Sequence, residues 1–150
     1  MTDTTAFAVT EDELDTLVSI AIRRAEILDD ERSPAADEAW HEVATYERRL
    51  AAITAPSDIA GGVARVGAVR ATLTAGHRAE AERLASVYLA EPELPAERRA
   101  AMERVFQEDR DRVAQHFPTL AKSGRLAEVA AWKASAAAQE SRVFPIREAA

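Results

Sequence analysis

Apolar side chains recur at every third or fourth position along most of the chain, which is the spacing of one face of an α-helix. The first such stretch follows Thr10 and Glu13, whose T-x-x-E spacing is that of a capping box, and predicts a helix over about 11–29. Its inward stripe is predicted to consist of Leu14, Leu17, Val18, Ala21, Ala25 and Leu28. Because Ile20 and Ile27 widen this stripe, we expect the helix to be buried on more than one side.

Five further helical stretches follow, separated by residues that start or stop helices. The same periodicity predicts helices over about 34–53, 58–75, 78–90, 95–117 and 125–139. Ser33 is expected to cap the second helix, with Pro34 as its first residue. Gly76 is expected to end the third helix, as glycine does when it follows the last helical turn.

The third predicted helix mixes large and very small residues. Its large residues, which we expect to face inward, are Ile59, Val63, Val66, Val69 and Leu73. Its small residues are Ala60, Gly61, Ala64, Gly67, Ala68 and Ala71. Small residues let a neighbouring helix approach closely, although each glycine lowers the helix propensity.

Composition favours a fully helical chain. Alanine supplies roughly a fifth of the residues, well above typical usage, and the chain of 150 residues has only 5 Gly and 6 Pro. We therefore predict an all-α, single-domain antiparallel bundle of about five to six helices, because short connections favour antiparallel neighbours. Residues 1–9 are predicted to be a flexible N-terminus and residues 140–150 an extended tail.

Two stretches share a pattern of a small residue, glycine and then Ala-Glu. They are AGHRAEAERL at 75–84 and SGRLAEVAAW at 123–132. The first resembles the turn and second helix of a tetratricopeptide repeat, which implies irregular stacking of helical hairpins. The spacing of 48 residues departs from that family's repeat of about 34, and the aromatic positions of its first helix are missing. The pattern is equally that of any helix–glycine–helix junction in an alanine-rich bundle.

Charge and cysteine usage exclude several classes of protein. The net charge is −7, and basic residues alternate with acidic ones, as in QEDRDR at 107–112. Such interleaving predicts solvated helix faces with pairs at i,i+4, and it argues against nucleic acid as a partner. Cysteine is absent, so disulfides and zinc–cysteine sites are excluded. Since neither a signal peptide nor a run of 18 apolar residues is recognisable, we expect a cytoplasmic protein with no membrane partner.

The motif EAWHE at 38–42 is the clearest candidate for chemistry. On a helix Glu38, His41 and Glu42 share one side, and Glu-x-x-His is half of the pattern that di-iron bundles use. The second half is missing, because His77 and His116 have Thr74 and Val113 three residues earlier. The favoured interpretation is a solvated helix face beside a core edge, with a metal site as the alternative and no cofactor expected.

The C-terminal tail is the candidate for partner binding. Val143, Phe144, Pro145 and Ile146 place apolar surface in a segment predicted to be extended. These residues are expected to fold back over the bundle, with docking into a partner or a second copy and plain disorder as the alternatives.

Two functions remain open from the sequence. The first is a non-enzymatic helical protein–protein interaction module, such as an adaptor, regulator or accessory subunit, whose partner is another protein or a second copy of itself. The alternative is a ligand- or metal-dependent enzyme or sensor with a polar site inside the bundle. Its candidate residues are Glu38, His41, Glu42, Tyr46 and Asp109.

Overall fold

The chain folds into α-helices joined by short turns. The structure, a computed structural model, describes residues 8–116 and Ala134, and this part is 80% helical with no strand. The five helices are α1 (Glu11–Asp30), α2 (Ala36–Ile53), α3 (Ile59–Thr74), α4 (Arg78–Leu89) and α5 (Ala96–His116). The all-α bundle predicted from periodicity is confirmed. The predicted helix over 125–139 lies outside the described residues, apart from Ala134, which is helical and exposed.

The local signals for helix ends are mostly confirmed. The Thr10 side chain accepts from the Glu13 amide at 3.2 Å, and Glu13 Oε2 accepts from the Thr10 amide at 2.8 Å, which completes the capping box. Gly76 has a φ of +88° after α3. The His77 amide then bonds to Thr72 O and the Gly76 amide to Leu73 O, as in a Schellman motif.

The start of α2 differs from the prediction. The helix begins at Ala36 instead of Pro34, and the preceding Ala35 makes no side-chain cap. Ser33 Oγ instead accepts from the Ala35 amide at 3.2 Å, so the serine closes a turn before the helix. That turn follows Arg32, whose positive φ of 52° ends α1.

Helix α3 lies in the middle of the fold. It packs against α2 on one side and α4 on the other, while α1 packs against α2. Leu14 of α1 and Met102 of α5 join residues of α2, α3 and α4 in one buried cluster. Ten of the sixteen α3 residues are buried, including two glycines, so its small residues do admit close neighbours.

Helices α1 and α2 run antiparallel, because Arg24 and Asp15 of α1 interact with Glu42 and Glu47 of α2. The predicted burial of α1 on more than one side is wrong. Leu14, Val18, Ala21 and Ala25 are buried, but Leu17 is 37% exposed. Ile20 and Ile27 are 62% and 50% exposed, since α2 covers only the stripe that begins at Leu14.

The predicted inward face of α3 is also corrected at its first turns. Val66, Val69 and Leu73 are buried, but Ile59 is 80% exposed and Val63 is 47% exposed. The helix is covered there through its small residues instead, because Gly61 and Gly62 are buried and lie close to neighbouring chain.

The chain divides into two compact units, Met1–Phe106 and Gln107–Ala150. The predicted single domain over 1–150 stays a prediction. In the described part of the second unit, Gln107 bonds to Asp111 and Arg110, and Arg112 bonds to Asp109. The ion pair is at i,i+3, and the bond at i,i+4 joins the neutral Gln107 to Asp111, so the predicted charge pairs at i,i+4 stay a prediction for this stretch. No helix within residues 8–116 has the length and apolar character needed to cross a bilayer.

We expect Gly61→Ala to destabilise the fold by about 1–3 kcal/mol, as overpacking does. A Cβ at Gly61 would overlap the backbone carbonyl of Ala55, which cannot rotate away. The matched control is Gly62→Ala, whose Cβ would meet the Arg98 side chain at 2.9 Å, and that side chain can move. Urea unfolding of the two variants checks this. Equal urea midpoints for Gly61→Ala and Gly62→Ala would contradict the close approach of the Ala55 carbonyl to α3.

Candidate functional site

The three residues of the EAWHE motif lie on one side of α2, as predicted. Glu38 and His41 are exposed, and Glu42 is half-buried. Together they line an open depression of about 420 Å³, to which Arg24, Tyr46 and Arg49 also contribute. The motif therefore lies at the edge of the core and faces solvent. It does not face the bundle interior.

The polar groups around this depression bond to one another. Glu42 accepts from Arg24 Nη1 at 3.3 Å and from the Tyr46 hydroxyl at 3.4 Å. The His41 ring lies 5.4 Å from the His77 ring, centroid to centroid. Within residues 8–116, no three His, Asp or Glu side chains are arranged to hold a metal ion. The metal site stays an untested prediction, and no geometry in this part of the chain adds to it.

Two other sets of predicted residues remain. Val143, Phe144, Pro145 and Ile146 lie outside the described residues, so the predicted role of the tail stays a prediction. Asp109 is half-buried on α5 and accepts from Arg112 of the same helix at 2.7 Å.

The main candidate surface that the sequence did not reveal is an exposed, largely apolar stripe on α1. We call Leu17, Ile20, Arg24 and Ile27 the outer stripe. Each of its members directly precedes a residue that faces the core, namely Val18, Ala21, Ala25 and Leu28. Because successive helical residues are about 100° apart, the outer stripe lies about a quarter-turn from the buried one. Helix α1 thus has two adjacent stripes with apolar residues, and the rest of the fold covers only one of them.

The outer stripe borders a shallow groove with positive charge. The groove has a volume of about 330 Å³ and is lined by Ile20, Arg23, Arg24, Ile27 and Leu28. The Arg24 side chain is 64% exposed even though it pairs with Glu42. A groove lined by apolar side chains and two arginines suits an apolar ligand surface that carries carboxylates.

A buried guanidinium links the loops at one end of the bundle. Arg65 of α3 binds the Glu91 carboxylate with two bonds, of 2.8 and 3.1 Å. It also donates to Thr54 O at 3.2 Å and Gly61 O at 2.9 Å, and its Cζ lies 5.6 Å from the Tyr88 ring centre. These partners satisfy the guanidinium within the chain, so the cluster holds the loops together.

Arg99 reinforces the same region from α5. Its guanidinium donates to the carbonyls of Leu89, Glu91 and Leu94. Two of these carbonyls lie just at or after the end of α4, where helix carbonyls lack internal partners. A positive charge there also suits the negative end of the helix dipole.

Glu47 is a buried carboxyl between helices. It lies on α2 against Gly67 of α3, where an added Cβ would overlap Glu47 Oε1. The pKa of Glu47 is raised from 4.5 to about 7, mainly by burial and also by the nearby Asp15 carboxylate, while Arg70 opposes the shift. The carboxyl therefore titrates near neutral pH.

Sequence reasoning missed the buried roles of Arg65 and Glu47, although both left a signal. Arg65 is a single charge within the apolar run GGVARVGAV. Glu47 falls on the same helical face as Val43 and Leu50, which are buried. A charged residue on an apolar face is expected to be paired or to shift its pKa.

Comparison with protein-family models, curated proteins and solved structures finds no match to this chain. Functional inference therefore depends on the surfaces and polar clusters described above.

We expect Arg65→Ala to lower the free energy of unfolding by about 3 kcal/mol, because it leaves Glu91 and the Thr54 carbonyl without a partner. Arg65→Lys should recover only part of this loss, since an ammonium cannot make the paired bonds of a guanidinium. The control is Arg48→Ala, which removes an exposed ion pair with Glu80 and should cost less than about 1 kcal/mol. Comparable losses in urea unfolding for Arg65→Ala and Arg48→Ala would contradict the role of the cluster.

We expect Glu47→Gln to remove a pH dependence of stability. The folded-state pKa, about 7, lies above the ordinary 4.5. The folded form therefore holds the proton more tightly, and proton binding by Glu47 stabilises the fold in full below about pH 4.5. This stabilisation is lost as the pH rises to about 7, and the loss in the free energy of unfolding is at most about 3 kcal/mol.

The measurement is the difference in unfolding free energy between Glu47→Gln and wild type from pH 4 to 8. As the pH rises to about 7, the variant should gain stability relative to wild type, and above that pH the difference in unfolding free energy should level off. Glu38→Gln, on the exposed side of the same helix, controls for loss of a carboxylate. A difference for Glu47→Gln that does not change with pH would contradict the buried location of this carboxyl.

Proposed function

We propose that this protein is a non-enzymatic helical protein–protein interaction module, and that it binds its partner through the outer stripe of α1. The observation that carries the proposal is the exposure of Leu17, Ile20 and Ile27 on a helix whose adjacent stripe is already in the core. Large apolar side chains grouped on one exposed face mark binding surfaces more often than scattered ones do.

The spacing of the outer stripe supports a helix as the partner. Positions 17, 20, 24 and 27 are separated by three, four and three residues. This spacing forms the seam along which one helix packs on another with knobs in holes. The other exposed large residues of the described chain form no run of this length, since Ile59 and Val63 are a single pair one turn apart on α3, and Val9, Ile53 and Val87 lie on separate segments.

Charge narrows the chemistry of the partner. Arg23 and Arg24 line the groove, so the best match is an amphipathic helix with apolar residues along one face and carboxylates beside them. Such a helix would lie next to α1 without disturbing α2, because the outer stripe is about a quarter-turn from the buried stripe.

The polar clusters of residues 8–116 support an interaction role over catalysis. Arg65, Arg99 and Glu42 each bond to groups of the same chain, in arrangements that join helices or loops. A site for chemistry needs reactive groups that converge on a cavity and remain available to a substrate.

The test is photo-crosslinking in the cells in which the protein occurs. A photoreactive phenylalanine analogue replaces Ile20 in one variant and Val87 in the other. Val87 of α4 is also 62% exposed, so the two positions match in accessibility. We expect a specific crosslinked protein from position 20 that is absent from position 87, because only position 20 lies in the seam.

The crosslink should be lost when Ile27→Asp is added, since a carboxylate in the seam cannot be buried against an apolar helix without a large cost. Identical products from positions 20 and 87, or none from position 20, would contradict the proposed function.

A further inference from the structure

We infer that the partner of the outer stripe is a second copy of this chain, bound so that the two α1 helices run antiparallel. The inference rests on the proposed function, because it names the occupant of the same surface. The chain itself carries the required partner chemistry: α1 is an amphipathic helix whose first turns hold Glu11, Asp12, Glu13 and Asp15, all exposed.

The register follows from extending the outer stripe by one turn. Glu13 lies four residues before Leu17, so it continues the seam at its N-terminal end. An antiparallel pairing with its two-fold axis between residues 18 and 19 sets Leu17 against Ile20 of the second copy. The same pairing sets Glu13 against Arg24 of the second copy. Since the axis is two-fold, each of these contacts forms twice.

Both groups of the predicted ion pair are available. Glu13 Oε2 accepts from the Thr10 amide, which leaves Oε1 free to accept. Arg24 contacts Glu42 through Nη1 alone, at 3.3 Å, and guanidinium has five N–H donors. Burying an Arg in a helix seam requires such a partner, and Glu13 of the second copy supplies it.

Charge selects this arrangement over two others. A parallel pairing would place Arg24 against Arg24 and Glu13 against Glu13, so like charges would meet in the seam. The chain's own C-terminal tail carries Glu140 and Glu148 as well as Arg142 and Arg147, so it has no net charge to match Arg23 and Arg24. The first turns of α1 carry carboxylates and no basic residue, so they complement the groove better than the tail does.

Helix geometry also permits the dimer. Because the two apolar stripes of α1 are about a quarter-turn apart, each α1 can contact its own α2 and the other copy's α1 together. Four-helix bundles use the same relation, in which every helix touches two neighbours.

The experiment is sedimentation analysis of the purified full chain, of Arg24→Glu and Glu13→Arg alone, and of an equimolar mixture of these two variants. Wild type should dimerise with a concentration dependence measurable below roughly 0.5 mM, in the range of weak interfaces. Each variant alone should associate at least about tenfold more weakly, because like charges then face each other twice. The mixture should regain association within about threefold of wild type, since both pairs are restored in the heterodimer.

Two further variants keep the test decisive if Glu13→Arg disturbs the helix cap. Ile20→Asp should abolish the dimer while leaving the helical circular dichroism of wild type, because Ile20 is exposed in one copy. Arg48→Glu, on the exposed surface of α2, should leave the dimer intact.

The inference fails if wild type stays monomeric at roughly 0.5 mM, if the mixture associates no better than its components, or if Ile20→Asp still dimerises. A monomeric wild type whose position 20 crosslinks to a different protein would overturn only the second copy as partner. A monomer without any crosslink from position 20 would overturn the interaction function too.

Discussion

The close approach of neighbouring chain segments to α3 is the constraint on which the rest of the structure depends. A Cβ at Gly61 would overlap the Ala55 carbonyl in the turn before α3, and a Cβ at Gly67 would displace the Glu47 carboxyl of α2. A helix covered on most sides must present small residues to its nearest neighbours, because interiors are packed without spare volume. With α3 in the centre, α1 becomes a helix at the edge, covered mainly by α2.

The charged groups in this core hold elements together at an energetic cost. Arg65 ties the loop after α2 to the segment after α4 through the Thr54 carbonyl and the Glu91 carboxylate. Buried ion pairs contribute little net stability, since desolvation offsets much of the attraction, but they penalise arrangements that break them. For Glu47 the opposing charge of Arg70 is outweighed by burial, so this carboxyl holds its proton more tightly. Both groups therefore have structural explanations that need no ligand.

The sequence predicted the elements well because their signals are local. The capping box at Thr10 and the glycine after α3 act within a few residues, so each is visible without knowledge of the fold. The start of α2 was misplaced because Ser33 closes a turn that depends on the positive φ of Arg32. Sequence alone offers weak signals for such a backbone conformation at a residue other than glycine.

The candidate site was harder to predict for a physical reason. The two apolar stripes on α1 are equally periodic, and only the placement of α2 decides that Val18 is covered and Leu17 is left more open. Exposure is thus a property of helix neighbours and not of the helix itself. The Glu38–His41–Glu42 motif was placed correctly on one side of α2, since helical spacing alone fixes that relation.

Methyl NMR of the purified chain, labelled at isoleucine and followed over a dilution series, tests the use of the outer stripe most directly. The methyl signals of Ile20 and Ile27 should shift with concentration along one common dimerisation curve, while those of Ile53 and Ile59 should stay constant although both residues are also exposed, by 53% and 80%. Constant shifts at Ile20 and Ile27 up to the highest concentration, or changes at Ile53 and Ile59 instead, would contradict the account.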